Sequence, residues 1–176
     1  MSDTPILHIP TFALPSALRR KILSLCAAAY DEDLSPYFEW IGPGVHLCAC
    51  QDDALVSHLM IVERALQPGS VTPLRTGYVE LVATHPAWQG QGLATGLLRA
   101  AEPQLDRFDL AALSPSSASF YERLGWEPWR GPLFVRRDGT LQATPDEEVM
   151  IRRTITTPEL DLDAPLSVEW REGEIW

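Results

Sequence analysis

The segment Tyr78-Val79-Glu80-Leu81-Val82-Ala83-Thr84-His85-Pro86-Ala87-Trp88-Gln89-Gly90-Gln91-Gly92-Leu93-Ala94 runs from an apolar stretch through two glycines into a helical pattern. Its first part belongs to an extended run, Leu74 to Thr84, that His85-Pro86 closes, because proline cannot continue a central strand. Leu93, Leu97 and Ala101 then recur every four residues, so a helix opens near Gly92, and Pro103 is expected to kink or end it. A helix start exposes backbone N–H groups and the positive end of the helix dipole, which together attract phosphate oxygens. Gly90 and Gly92 lack a Cβ, so a bulky anion can approach the main chain. An ordinary turn could hold the same glycines, and alone they favour an anion site only slightly.

Working outward, Leu110 to Leu113 is a short apolar run suited to a strand buried on both faces, and Ser116 to Leu124 a short helix stopped at Gly125. Upstream, Pro5 to Pro10 reads as a first strand. Leu18, Ile22, Leu25, Cys26 and Ala29 mark a helix behind Pro15 that ends by Asp31-Glu32-Asp33. Gly44 to Gln51 and Leu55 to Leu66 read as strands joined by an Asp52-Asp53 turn. Downstream come Pro132 to Arg137, an Asp138-Gly139 turn, Val149 to Thr154 and a final extended segment from Leu166 to Trp176. The order predicts a mixed α/β fold, with hairpins first and a strand–helix–strand unit in the middle. No repeat or linker divides the 176 residues, so one domain over 1–176 is expected.

The formal charge of −10 argues against nucleic acid or an anionic membrane as partner, since both demand a cationic surface. No apolar run reaches the roughly 20 residues of a bilayer span, and the start lacks a signal-peptide pattern, so the expected location is the cytoplasm. Cys26, Cys48 and Cys50 are expected as buried free thiols, and the four scattered histidines point to no metal site.

The phosphate ligand is narrowed by what the turn lacks. No Gly-Lys-Ser/Thr follows, which removes the Walker pattern. A dinucleotide fingerprint needs a third glycine or alanine where Thr95 stands, and an acidic residue ending the next strand, whereas Asp109 precedes it. Gln89-Gly90-Gln91-Gly92-Leu93-Ala94 instead resembles the Gln/Arg-x-x-Gly-x-Gly/Ala motif of the GNAT superfamily of acyl-CoA N-acyltransferases. Ala118-Ser119-Phe120-Tyr121-Glu122-Arg123-Leu124-Gly125-Trp126 is similar to that superfamily's second signature, one helix and one strand further on. The resemblance implies a GNAT fold: a twisted mixed sheet with helices on both faces, splayed between two central parallel strands. It implies acetyl-CoA as the coenzyme, held by Val82, Ala83 and Thr84 and by Gln89, Gly90, Gln91, Gly92, Leu93 and Ala94.

A narrower resemblance covers nearly the whole chain. Gly77-Tyr78-Val79-Glu80, Gly125-Trp126-Glu127-Pro128-Trp129, Gly131-Pro132, Thr144-Pro145-Asp146 and the terminal Glu169-Trp170-Arg171-Glu172-Gly173-Glu174-Ile175-Trp176 resemble the aminoglycoside 2′-N-acetyltransferases. The implied reaction is direct acetyl transfer to the 2′-amine of an aminoglycoside, a mechanism of antibiotic resistance, by a homodimer. Leu81 stands where the relatives carry glycine, so the resemblance leaves the accepted drug open between kasugamycin and the gentamicin or tobramycin type.

Residues 142 to 176 hold nine carboxylates against Arg152, Arg153 and Arg171, and clustered carboxylates gather a multiply charged cation. Glu159, Asp161 and Asp163 read as a solvated face. Asp33, Asp146, Glu147 and Glu174 are candidates for substrate contact by resemblance, Asp33 being equally a helix-end acid. An aminoglycoside amine is protonated near neutral pH and needs a base before it attacks. Glu80, set among Val79, Leu81 and Val82, is the candidate base, with the Trp176 carboxylate nearby by resemblance; a strand-face Glu paired with arginine is the alternative. Tyr121 would serve the departing thiolate by its place in the second signature, although periodicity alone makes it a core tyrosine. Val82 N–H would serve the carbonyl oxygen. Ser114 and Ser117 either touch substrate hydroxyls or cap the next helix. Two other functions fit the same motifs: acetylation of a polyamine or protein N-terminus, and acyl-CoA sensing without turnover.

Overall fold

The computed structural model describes residues 5–176. They form two units, one built from the chain up to Val62 with Val79–Pro103, the other from Glu63–Tyr78 with Gln104–Trp176.

In the first unit, strand β1 (Ile6–Pro10) leads to helix α1 (Ser16–Tyr30), which buries Ile22, Leu25 and Cys26 at the predicted spacing. α1 ends where Asp31 turns into the left-handed region (φ 56°), and a one-and-a-half-turn helix α2 (Ser35–Trp40) follows, which the periodicity did not reveal. Six residues are too few for an apolar repeat; the signal was Ser35-Pro36, since proline at a helix start loses no hydrogen bond. Strand β2 (Gly44–Gln51) pairs antiparallel with β1 and with β3 (Ala54–Pro68). Asp52 and Asp53 both take positive φ in the hairpin turn, a conformation asparagine, aspartate and glycine adopt at least cost. Strand β4 (Leu74–Thr84) contributes its second half here and feeds helix α3 (Leu93–Leu105). α3 was expected to kink or end at Pro103 and ends two residues beyond it, at Leu105. The proline lies in the last turn, where its missing N–H costs a single hydrogen bond.

In the second unit, β5 (Leu110–Leu113) is buried throughout and pairs in parallel with β4, from Thr76 and Leu110 to Tyr78 and Ala112. That ladder stops there while β4 runs on to Thr84. Gly77 is required on it, because a Cβ would sit 2.7 Å from the Phe108 ring. After helix α4 (Ala118–Glu122) come β6 (Glu127–Pro128), β7 (Leu133–Arg137), β8 (Thr140–Ala143), β9 (Met150–Arg153) and β10 (Leu166–Glu169). The strand order is β6-β9-β5-β4-β3-β10-β7-β8, with β10 parallel to β7. The fold is therefore mixed α/β, with a central mixed sheet flanked by helices. The expected final strand is shorter than the sequence suggested: after Glu169 the Trp170 N–H still reaches Arg136 O at 3.0 Å, and beyond it side chains hold the chain, Arg64 at Ile175 O and the Trp176 indole at Thr144. Among the described residues, no helix is long and apolar enough to cross a membrane.

Cys26 and Cys48 are buried free thiols, and burial pushes both up to about 12; Cys50, expected to be buried as well, is a free thiol that is only half-buried near the end of β2. Neither Cys26 nor Cys48 supplies thiolate near neutral pH.

Candidate active site

Glu80 lies on β4 with 7% of its surface exposed, and the Tyr37 hydroxyl donates to its Oε2 at 2.6 Å. A short bond from a neutral hydroxyl to one carboxylate oxygen fixes the side chain. Tyr37 comes from α2, so the element the sequence hid carries the partner of the candidate base. A hydrogen bond to a charged group is worth about 1.5 kcal/mol at the low end, so Tyr37→Phe is expected to lower turnover about tenfold. Steady-state kinetics check this, and unchanged turnover would remove Tyr37 from the site. Asp33 works locally: its Oδ1 accepts from the backbone N–H of Ser35 at 2.9 Å and from its hydroxyl at 2.6 Å, which holds its pKa below the usual carboxylate range.

Immediately after Glu80 the strand turns through the left-handed region at Leu81 (φ 51°), whose side chain is buried. That conformation costs a residue with a Cβ roughly 1–2 kcal/mol and must be held by its surroundings. Leu81 O accepts from His58 Nδ1 at 3.1 Å, and His46 Nδ1 stands 3.0 Å from His58 Nε2. Both rings are wholly buried, which pushes His46 down to about 4 and His58 to about 3. The unfolded chain takes up these protons near pH 6.5, well before the folded chain does. Below that pH the unfolded state holds more protons, so stability is complete above it and is lost as the pH falls. Each histidine is expected to remove about 1.4 kcal/mol per pH unit on the acid side. Urea unfolding between about pH 7 and pH 5 reads this slope, and His46→Asn should flatten it; an unaltered slope would contradict the assignment.

Past β4, Gln89 Nε2 donates to Thr84 O at 3.2 Å and closes the turn that holds the glycines. Gly90 (φ 73°) and Gly92 (φ 81°) are exposed, with nothing within 4 Å of where a Cβ would stand. The first helical bond of α3 runs from Gly96 N to Gly92 O at 2.9 Å, so the N–H groups of Leu93, Ala94 and Thr95 precede it. An open, glycine-lined helix start of this kind fits a diphosphate. Val82 and Thr84 are half-buried and Ala83 is buried on the same run.

In the second unit Tyr121 is 4% exposed, edge-on to Phe120 and Trp126, and burial pushes its hydroxyl up to about 12. Ser114 and Ser117 are exposed before α4; Ser117 holds the N-cap position without a side-chain capping bond. Trp176 is 4% exposed and donates from Nε1 to Thr144 Oγ1 at 2.9 Å. The tail thus lies against the loop that carries Asp146 and Glu147. Burial and the charges of Glu174 and Asp146 raise the Glu147 pKa, so these three carboxylates repel one another and would gain from a cation. Asp163 is committed to Arg130 and Asp161 to its own turn, as expected of a solvated face. The buried Arg64 was not foreseen: Nε and Nη2 bond to Glu169, and Nη1 donates to Ile175 O at 2.9 Å. Its only sequence signal was a lone arginine inside an apolar strand.

Residues 19–129 match the family described as Acetyltransferase (GNAT) domain, and the chain belongs to that family. It is an acetyltransferase that uses acetyl-CoA and acts on an amine. Over 97% of its length the chain is 35% identical to an aminoglycoside 2′-N-acetyltransferase of Mycolicibacterium fortuitum, covering 93% of that protein. The fold resembles YhbS of Escherichia coli, a GNAT family N-acetyltransferase solved in complex with CoA, at TM-score 0.62 and 15% identity over 98% of this chain and 93% of that one. It also resembles Eis1 of Mycobacterium abscessus at TM-score 0.62 and 17% identity, over 73% of this chain, which spans only 33% of the Eis1 chain.

Proposed function

We propose that this acetyltransferase acts on the 2′-amine of an aminoglycoside. The observation that carries the reading is the carboxylate cluster of Asp146, Glu147 and Glu174 against the docked Trp176 tail, a surface that favours a compact polycation. The relationship to the aminoglycoside enzyme of M. fortuitum over 97% of this chain supports the same substrate class.

Acetyl-CoA supplies the acetyl group as a thioester. The turn Gln89 to Ala94 takes its diphosphate on backbone N–H groups and the helix dipole. Glu80 removes the amine proton through ordered water, with Tyr37 holding the carboxylate in place. Val82 N–H donates to the carbonyl oxygen of the thioester as negative charge builds there. Tyr121 serves the sulfur. With its hydroxyl at about 12 against roughly 8.5 for a thiol, full proton transfer to a thiolate is uphill, so its part is to donate a hydrogen bond to the developing charge. In the second unit, Ser114, Ser117 and the Trp176 carboxylate are the candidate sugar contacts; in the first, Asp33 is a candidate through the oxygen that does not bind Ser35.

Incubation with acetyl-CoA and a panel of aminoglycosides, polyamines and N-terminal peptides, followed by thiol release, tests the assignment. Aminoglycosides, including gentamicin, tobramycin and kasugamycin, are expected to give the highest kcat/KM. Preference for spermidine or a peptide would reassign the acceptor, and CoA binding without turnover on any amine would make the protein a sensor.

A further inference from the structure

Successive carbonyls after Glu80 accept from side chains: Leu81 O from His58, Val82 O from the Tyr30 hydroxyl at 3.0 Å, and Ala83 O from Ser57 Oγ at 3.0 Å. The bond to Leu81 O fixes the protonation of a whole chain of groups. A carbonyl only accepts, so His58 Nδ1 carries the hydrogen and its Nε2 is an acceptor. His46 Nδ1 must then donate to it, which leaves His46 Nε2 as the acceptor facing Thr11 Oγ1 at 3.2 Å. Thr11 is itself anchored by Gly44, whose N–H donates to Oγ1 at 2.9 Å and whose carbonyl, 3.1 Å away, shares the Thr11 hydroxyl hydrogen with His46 Nε2, and Phe38 stacks on the His46 ring at 5.6 Å. Burial keeps both imidazoles neutral across any ordinary assay pH. In a trans peptide the C=O and the next N–H point opposite ways, and no peptide among the described residues is cis. Holding Leu81 O on His58 therefore turns the Val82 N–H away from that ring.

We infer that His58 is a positioning residue for acetyl transfer: through Leu81 O it fixes the Leu81–Val82 peptide plane and so aims the Val82 N–H at the thioester oxygen. The catalytic half of this inference rests on the function proposed above; the geometric half stands by itself. Positive φ is unfavourable for a residue with a Cβ, so the conformation at Leu81 must be held by its surroundings, and the bond from His58 to Leu81 O is one such hold.

The test compares His58→Leu, which removes the donor, with His58→Asn, whose amide nitrogen stands where Nδ1 does. In His58→Leu, kcat is expected to fall about 10–100-fold with the KM for acetyl-CoA nearly unchanged, because a misaimed donor costs transition-state stabilisation rather than binding. His58→Asn should recover most of the loss, and the Val82 amide signal in 1H–15N spectra should move in the leucine variant only. Long-range 1H–15N spectra of the wild-type protein should show both histidines neutral with hydrogen on Nδ1, a readout that survives if the leucine variant fails to fold. An Nε2–H form of His58, or a leucine variant with normal kcat and an unmoved Val82 signal, would overturn the inference. A wild-type protein without turnover would overturn the functional reading alone, since the tautomer and the Val82 signal decide the positioning in either case.

Discussion

Replacing Glu80 with glutamine is expected to lower kcat for acetyl transfer about 10²–10⁴-fold while leaving the KM for acetyl-CoA within about twofold. Glutamine keeps the size of the side chain and an oxygen that accepts from Tyr37, so the packing around this 7% exposed position survives. What it loses is the capacity to take a proton from the ammonium form of the acceptor, in which nearly all of the amine is stored near neutral pH. The loss belongs to the reacting state alone, which places it in kcat rather than in coenzyme binding. Steady-state kinetics with acetyl-CoA and the best aminoglycoside provide the check. A glutamine variant as fast as the wild type would mean that another group is the base.

The second large effect is on stability. Arg64→Met is expected to destabilise the protein by about 3 kcal/mol, the low end for breaking a buried ion pair. Arg64 has only 4% of its side chain exposed, and it satisfies the Glu169 carboxylate, Glu169 O and Ile175 O at once. Methionine fills the volume but leaves two carbonyls without their donor and Glu169 Oε1 without its ion-pair partner, while Oε2 keeps the Ala65 N–H at 3.0 Å and Arg136 at 4.0 Å. Glu169 is 39% exposed, so water replaces part of that loss, which is why the low end applies. Because Ile175 precedes Trp176, the same change should release the tail, raising the KM for the aminoglycoside more than that for acetyl-CoA. Urea unfolding measures the first effect and carboxypeptidase sensitivity the second. A variant within about 1 kcal/mol of wild type with a protected terminus would show that the tail is held without Arg64.

Much of this architecture could be read from the sequence because its signals were local. The Asp52-Asp53 turn announced its hairpin and the Asp138-Gly139 turn was legible too, all four residues taking positive φ, although the second strand after Gly139, Thr140–Ala143, left no apolar signal. The glycines before α3 gained meaning only with the second signature downstream, and the apolar run Leu110–Leu113 suited the buried strand it forms. What stayed hidden depends on partners distant in sequence. Tyr37 lies 43 residues from Glu80, and His58 lies 23 from Leu81, so neither pairing leaves a periodic trace. α2 was too short to repeat. Leu81 marked itself only as a departure from glycine; its left-handed backbone gives that departure a physical meaning, since the position demands a conformation that glycine takes freely and leucine must be held in. The tail read as extended through Trp176, yet the strand ends at Glu169, and beyond Trp170 the Arg64 and Arg171 guanidinium groups and the Trp176 indole hold it.

The proposed transfer from acetyl-CoA to one particular nitrogen of a polycationic sugar is tested by NMR of the aminoglycoside recovered after complete reaction. A single acetyl group on the 2′-nitrogen is expected, matched one for one by free CoA thiol. Acetylation at any other nitrogen, or intact acetyl-CoA beside every unmodified aminoglycoside, would contradict it.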